Sequence, residues 1–436
     1  MDSSNNEIND SIPSRIDFVN NVFKNKLVPL IDTQLKNNNV CDNIKFLSNI
    51  PTYDMNKIFN KLDCKLTYTN NTKTNIYFKG IINNDRKVNL KISLRKKSEC
   101  RDFIQSENTD ISISSLLKKL VIEKQTPHIA LPISAFYVNI DPIINLDYNY
   151  HNSGKYIEFI NEYNTNNYCD TCLVFINEYS NRGTLLSFIK TNFRNLRIEH
   201  WTTIFFQIIS VLAVIQSKYS TFRHNNFTPQ TIMVHKHTNK FGNFKYKVCH
   251  DSYLVYNIGY KIKIYDFDNA HISYNSNFAI NRYCDLRYFF CSLISRDCCP
   301  EILTNPNVPI QIKDFINRII PEKCRNLHNN NDDEFLIPND ILNNDPLFED
   351  FRNLYLEEVY INIYKLINKT KNNYNIYHHV SSDIYRILFK RKHELKQILN
   401  IYWCLKNIND PNLWLPNDVF MEILQFVFIK IIEKIP

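Results

Sequence analysis

The chain has 436 residues, a net charge of +8, and 44% hydrophobic and 13% aromatic residues, which exclude global disorder and allow two or three domains, or one two-part domain with extensions. The basic residues are scattered rather than clustered, which speaks against a nucleic-acid partner. The longest apolar stretch, VFMEILQFVFIKII, is broken by Glu422 and Lys430, so no membrane span is expected.

Glycine occurs five times, and no G-x-G-x-x-G, Walker-type or nucleophile-elbow loop is present. The polar start MDSSNNEINDSIPSRIDF and twelve irregularly spaced cysteines point to an intracellular, reducing location with free thiols. Cys169 and Cys172 form a C-x-x-C and Cys298 and Cys299 are adjacent, but neither pair has a partner at zinc spacing.

In chain order, FVNNVFKNKLVPLIDTQL and NKIFNKL read as amphipathic helices between Asn-rich turns. KLTY, NIYFKGII and KVNLKISLRK alternate as strands. A helix follows over roughly 110–124 with Asp110 near its start, then two apolar strands, PHIALPISAFYVN and DTCLVFINEYS. From residue 180 the pattern is helical: GTLLSFIKT, then the very apolar IEHWTTIFFQIISVLAVIQSKY, whose composition implies burial on several sides. A polar loop at Asn226 leads to the short strands TIMVHK and YKVCHD and a further strand, KIKIYDF. CDLRYFFCSLI and IKDFINRII are helical, IPNDILNNDPLFEDF is a turn and short helix, and two more helices close the chain.

Two segments carry the most chemistry: FRHNNFTPQTIMVH and, about thirty residues on, YKIKIYDFDNAHI. With KVNLKISL, FINEYSNRGTLLSFI and NRYCDLRYFF they stand in an order that resembles the protein-kinase-like proteins of large nucleocytoplasmic DNA viruses, the mimivirus relatives and poxvirus virion kinases, over about residues 64–352. The resemblance implies an α+β, bilobal protein-kinase-like fold: a helical extension at 1–60, a small β-rich N-lobe at 61–178, a larger helical C-lobe at 179–370 and a C-terminal helical region at 371–436.

It also implies roles. Lys91 matches the strand lysine that pairs with nucleotide phosphates, although an exposed strand lysine would look the same. Its acidic helix partner would be Glu107, Asp110 or Glu123, none well placed, so that ion pair is expected to be missing. Glu178 and Tyr179 would offer main-chain hydrogen bonds to an adenine, and Met233 would also touch the nucleotide. His224 has an architectural role, and Asp285 braces the catalytic loop from within a helix. Asn226 stands where the resemblance requires the catalytic Asp, Thr228 where a Lys is common, and Thr231 where a metal-binding Asn is expected, leaving a weaker hydroxyl ligand. Asp266 is retained, in Asp-Phe-Asp, and with Asp268 either holds one divalent ion or caps a loop. The hairpin TNNTKTNIYFKG, where a phosphate loop would fall, reads as an ordinary turn.

These substitutions favour a pseudokinase acting as a binding or scaffold module, with weak or no use of ATP and Mg²⁺, in host cytoplasm or virion. The alternatives are an active atypical Ser/Thr kinase and a small-molecule kinase of the aminoglycoside-phosphotransferase type, since Asp-Phe-Asp-Asn-Ala also resembles that group. LPNDVFMEILQFV, within 412–430, resembles the opening helix of an F-box, which implies a ubiquitin-ligase adaptor as partner; an amphipathic helix packed on the C-lobe gives the same pattern.

Overall fold

The computed structural model describes residues 11–22, 52–144, 157–272, 282–325 and 336–355, with short breaks inside these ranges. The chain divides into two compact units, Met1–Tyr355 and Leu356–Pro436. The second unit, with the F-box-like segment 412–430, lies outside the described residues, as does 23–51.

Six strands form one mixed sheet: β1 (Thr52–Tyr53), β2 (Lys65–Asn71), β3 (Asn75–Ile82), β4 (Arg86–Ser93), β5 (Pro132–Asn139) and β6 (Thr171–Glu178), in the order β1-β5-β6-β4-β3-β2. Only β1 runs parallel to its neighbour. Alternation assigns the faces. Ile76, Phe78, Ile82, Val88, Leu90 and Ile92 share one face and belong to the main hydrophobic core, which also takes in Met55 and Ile58 of the helix α2 (Met55–Lys61). Gly80 lies on this face as well, in β3 rather than in the turn before it. A Cβ there would stand 2.6 Å from a Leu90 methyl and 2.9 Å from a Val88 methyl, so this glycine serves packing. The opposite face carries Tyr77, Asn89, Lys91 and Asn177.

The helix expected from Asp110 starts a full ten residues earlier, as α3 (Cys100–Ile122). The polar run RDFIQSEN gives it no sustained apolar stripe, which hid its beginning. Asp110 is therefore mid-helix, and it is buried.

After a short turn of helix, α4 (Asp141–Ile144), and strand β6, the chain becomes mainly helical: α5 (Leu185–Asn192), α6 (Ile198–Lys218), α7 (Cys284–Leu293), α8 (Ile310–Ile319) and α9 (Pro338–Asn344). Gly183 takes φ +70, a turn conformation that disfavours other residues, and Thr184 then caps α5 by accepting the Ser187 N–H. Every residue of α6 from Trp201 to Gln216 is buried, and Phe205 packs edge-on to Phe290 and stacks near Phe315. By length and composition α6 could cross a membrane, but 83% of its most apolar window is buried inside the protein, as in a core helix.

β7 (Ile232–Lys236) pairs with β10 (Tyr260–Ile264), and between them lies a hairpin of β8 (Asn243–Val248) and β9 (Asp251–Tyr256). The second hairpin strand has no counterpart in the sequence reading. Its turn is Cys249-His250, with Cys249 at φ +53, and lacks the Asn-Gly or Gly signal that marks such turns.

The sheet meets the helical part around a buried ionic cluster. Arg15, from the helix α1 (Ile12–Val22), donates to both oxygens of Glu178 at 3.0 and 2.5 Å, and to the carbonyls of Pro127 and Ile129 at 2.6 and 2.7 Å. Lys263 of β10 reaches the same carboxylate at 3.3 Å, and the Leu131 N–H donates to it at 2.9 Å. Main-chain bonds from Ala130 to Ile264 and from Ile264 to His128 tie the segment before β5 to β10. Arg15→Met leaves Glu178 with one cation in place of two. A loss of about 2–4 kcal/mol is expected in urea unfolding of the full chain, against less than about 0.5 kcal/mol for Asp17→Asn on the exposed face of α1.

Candidate functional site

Lys91 projects from the cleft face of β4 into a cage of three carboxylates. Its Nζ lies 2.9 Å from Asp110, 2.6 Å from Asp266 and 2.6 Å from Asp268. The Lys91 side chain is only 4% exposed, so it is not the exposed strand lysine that the sequence left open. The acidic partner expected to be missing is present: it is Asp110, brought to Lys91 by the earlier start of α3. Glu107 lies in the first part of α3, where only the backbone is described, and Glu123 lies beyond its end.

An ammonium has three N–H donors; Lys91 donates to Asp110 and to Asp266, and Asp268 stands beside it in ion-pair contact. Asp110 is itself fixed: its other oxygen accepts the Phe267 N–H at 2.9 Å and the Ser114 hydroxyl at 3.3 Å. Asp268 also accepts from the Asn75 amide of β3, at 3.3 Å. Asp266 sits at φ +67, a strained position for a non-glycine residue.

Three carboxylates against one ammonium leave surplus negative charge in a buried place. Burial works against ionised Asp266, but the Lys91 charge and hydrogen bond outweigh it and hold that carboxyl below its usual range. Burial pushes Asp268 up to about 8, with Asp110 and Asp266 adding to the rise against the pull of Lys91. Burial also opposes the charge of Lys91, yet the three carboxylates drive its pKa well above the ordinary lysine value. Among the described residues, Asp110, Asp266 and Asp268 are the one group of carboxylate, His or Cys ligands close enough to hold a metal ion, with oxygens within 4.8 Å of one another. An all-oxygen anionic set suits a hard divalent cation such as Mg²⁺.

The second segment forms a braced loop. Asp285 of α7 accepts the His224 N–H at 2.8 Å and the Asn225 N–H at 3.1 Å, the bracing role expected of it. Burial raises its pKa despite the opposing His224 charge and these bonds. His224 is fully buried, packs against Phe227 and Phe267, and has its Nε2 3.2 Å from the Tyr265 carbonyl. That contact ties the loop to the strand end carrying Asp266. Asn226 is half-buried and faces the cleft.

Thr231, expected as a weak metal ligand, closes the loop. Its hydroxyl donates to the Asn226 carbonyl at 2.7 Å and accepts the Thr228 N–H at 3.0 Å. A short hydroxyl can satisfy its bonds within the turn.

Lys91, Asp110, Asp266, Asn226, Glu178, Tyr179, Met233 and Thr231 all line one cleft of about 1170 Å³. Asp268 adjoins it through its ion pair with Lys91. The main chain of Glu178 is partly used already: its N–H donates to the Leu131 carbonyl at 3.0 Å, and its carbonyl receives the Asn89 amide at 3.4 Å. The Tyr179 ring lies under the Lys79 ammonium at 5.4 Å. The sequence reading missed Arg15, Asn75, Tyr77 and Lys263. Only Lys263 left a signal: a lysine between Ile262 and Ile264 in a buried strand needs an anionic partner.

The chain belongs to the protein-kinase-like proteins of giant viruses. It is 30% identical over 377 residues to the Acanthamoeba polyphaga mimivirus protein named "Putative serine/threonine-protein kinase R400", a match that covers 78% of this chain and 80% of that protein. No protein-family model matches the chain.

Replacing Lys91 strands one buried and two half-buried carboxylates. Lys91→Met is expected to cost about 3–5 kcal/mol in chemical unfolding, and adding Asp268→Asn to it is expected to return part of that loss. Additive effects of the two changes would contradict the cage.

Proposed function

We propose that the chain is a two-lobed kinase-fold protein that no longer transfers phosphate efficiently and acts as a binding or scaffold module, holding a nucleotide weakly. The observation that carries this reading is the amide of Asn226 at the cleft position where a carboxylate must orient and accept the substrate hydroxyl proton. An amide is no base near neutral pH, and loss of general-base help lowers rates by ~10²–10⁴-fold. The engaged donors of Lys91 support the same reading, because a phosphate would have to compete with three carboxylates for them.

Asp266 and Asp268 are the residues that would hold Mg²⁺, and the ion would bridge and neutralise nucleotide phosphates when bound. Lys91 would then grip the phosphates, Asp110 would hold Lys91 in place, and Tyr179 and Met233 would flank the base.

One alternative has specific support. The Lys91–Asp110 pair, the Asp266 carboxylate and the Asp285 brace on His224 are all in place, and positioning alone supplies much of phosphoryl transfer. That would make the chain a slow Ser/Thr kinase of unusual design.

Transfer of the ATP γ-phosphate to a generic basic protein acceptor separates the two. The parent chain is expected to give none above the protein-free rate, and Asn226→Asp to give transfer that needs Mg²⁺. Transfer by the parent that is lost in Asp266→Asn would establish the active-kinase reading.

A further inference from the structure

The third carboxylate on Lys91 has no part in the reading above beyond the cation. Lys91 needs one anion, Asp110, to hold it in the cleft, and Asp266 is the retained metal residue. Asp268 stands beside the remaining donor, in ion-pair contact at 2.6 Å, with the Asn75 amide donating to it. A nucleotide phosphate entering the cleft needs that donor, and it meets an uncompensated negative field as well.

We propose that Asp268 is an internal competitor that occupies Lys91 in place of a phosphate, and that a divalent cation has to draw Asp268 away before a nucleotide can be gripped. The proposal rests on the cleft being a nucleotide site. Four observations carry it. Three carboxylates crowd the ammonium within 2.9 Å, so a phosphate is admitted only by exchange. Asp110 is the partner hardest to displace, since the Phe267 N–H and Ser114 hold it from its far side. Asp266 and Asp268 are two residues apart, with oxygens close enough to meet on one cation. From β3, Asp268 accepts the Asn75 amide, a neutral contact that a cation can outbid.

A hard cation on Asp266 and Asp268 satisfies both carboxylates, leaves Lys91 on Asp110, and turns its remaining donors toward the cleft. The order of binding is then fixed: cation first, nucleotide second. The same contact keeps the cleft closed to free ADP or ATP when the cation is scarce.

Calorimetric titration of ADP into the full chain, in EDTA and in Mg²⁺, tests this with the parent, Asp268→Asn, Asp268→Ala and Asn75→Ala. The parent is expected to bind ADP far more weakly in EDTA than in Mg²⁺. The Asp268 variants are expected to bind ADP in EDTA about tenfold to a hundredfold more tightly than the parent, the range for one hydrogen bond to a charged group. Asn75→Ala, which leaves the cage residues intact, is expected to move the same way by less. If parent and Asp268 variants bind ADP equally in both conditions, Asp268 is no competitor, while the nucleotide site stands. If no protein binds ADP in either condition, though each melts cooperatively, the nucleotide site itself is refuted and the proposal falls with it.

Discussion

A buried ammonium must be matched by anions, and Lys91 is matched by more than it needs. That constraint organises the region where sheet and helices meet. It holds α3 against β4 through Asp110, draws the chain after β10 inward through Asp266 and Asp268, and reaches the β3 strand through Asn75. The Phe267 N–H on Asp110 closes the circuit, so helix, sheet and the Asp-Phe-Asp turn are fixed by one set of charges. In a buried, low-dielectric place such a set is rigid when complete and costly when one member is removed.

A second set, on Glu178, lies at the other side of the same junction. Arg15 and Lys263 both reach its carboxylate, and Arg15 also binds the carbonyls of Pro127 and Ile129. Lys263 is three residues before Asp266, so the strand leading to the carboxylates on Lys91 is anchored near its end by Glu178. The two sets together define where the cleft is and what faces it. Within that frame the loop at Asn226 is well built, with Asp285 on two of its N–H groups and His224 packed between aromatic rings, yet the side chain it presents is an amide.

The strands of the sheet were legible because their apolar residues alternate, and α6 because it is apolar all round. The Asn226 and Asp266 segments were legible from their residue types and spacing. What escaped depends on distance in sequence. Asp110 and Lys91 meet only because α3 begins at Cys100, in a polar run with no periodic signal. Arg15 binds a residue 163 positions away, which no local pattern reveals. The β9 strand escaped because Cys249 and His250 make its turn without glycine. Asp268 was seen as an extra carboxylate, but its contact with Lys91 needs the three-dimensional arrangement.

The caged ammonium is open to direct observation. Heteronuclear spectra of the full chain labelled with ¹⁵N-lysine, recorded near neutral pH without divalent ions, report side-chain ammonium groups whose protons exchange slowly because they are bonded and buried. The account predicts such a signal for Lys91, one that moves on Asp268→Asn and stays in place on Glu178→Gln. A spectrum in which Asp268→Asn shifts no protected ammonium signal would contradict it.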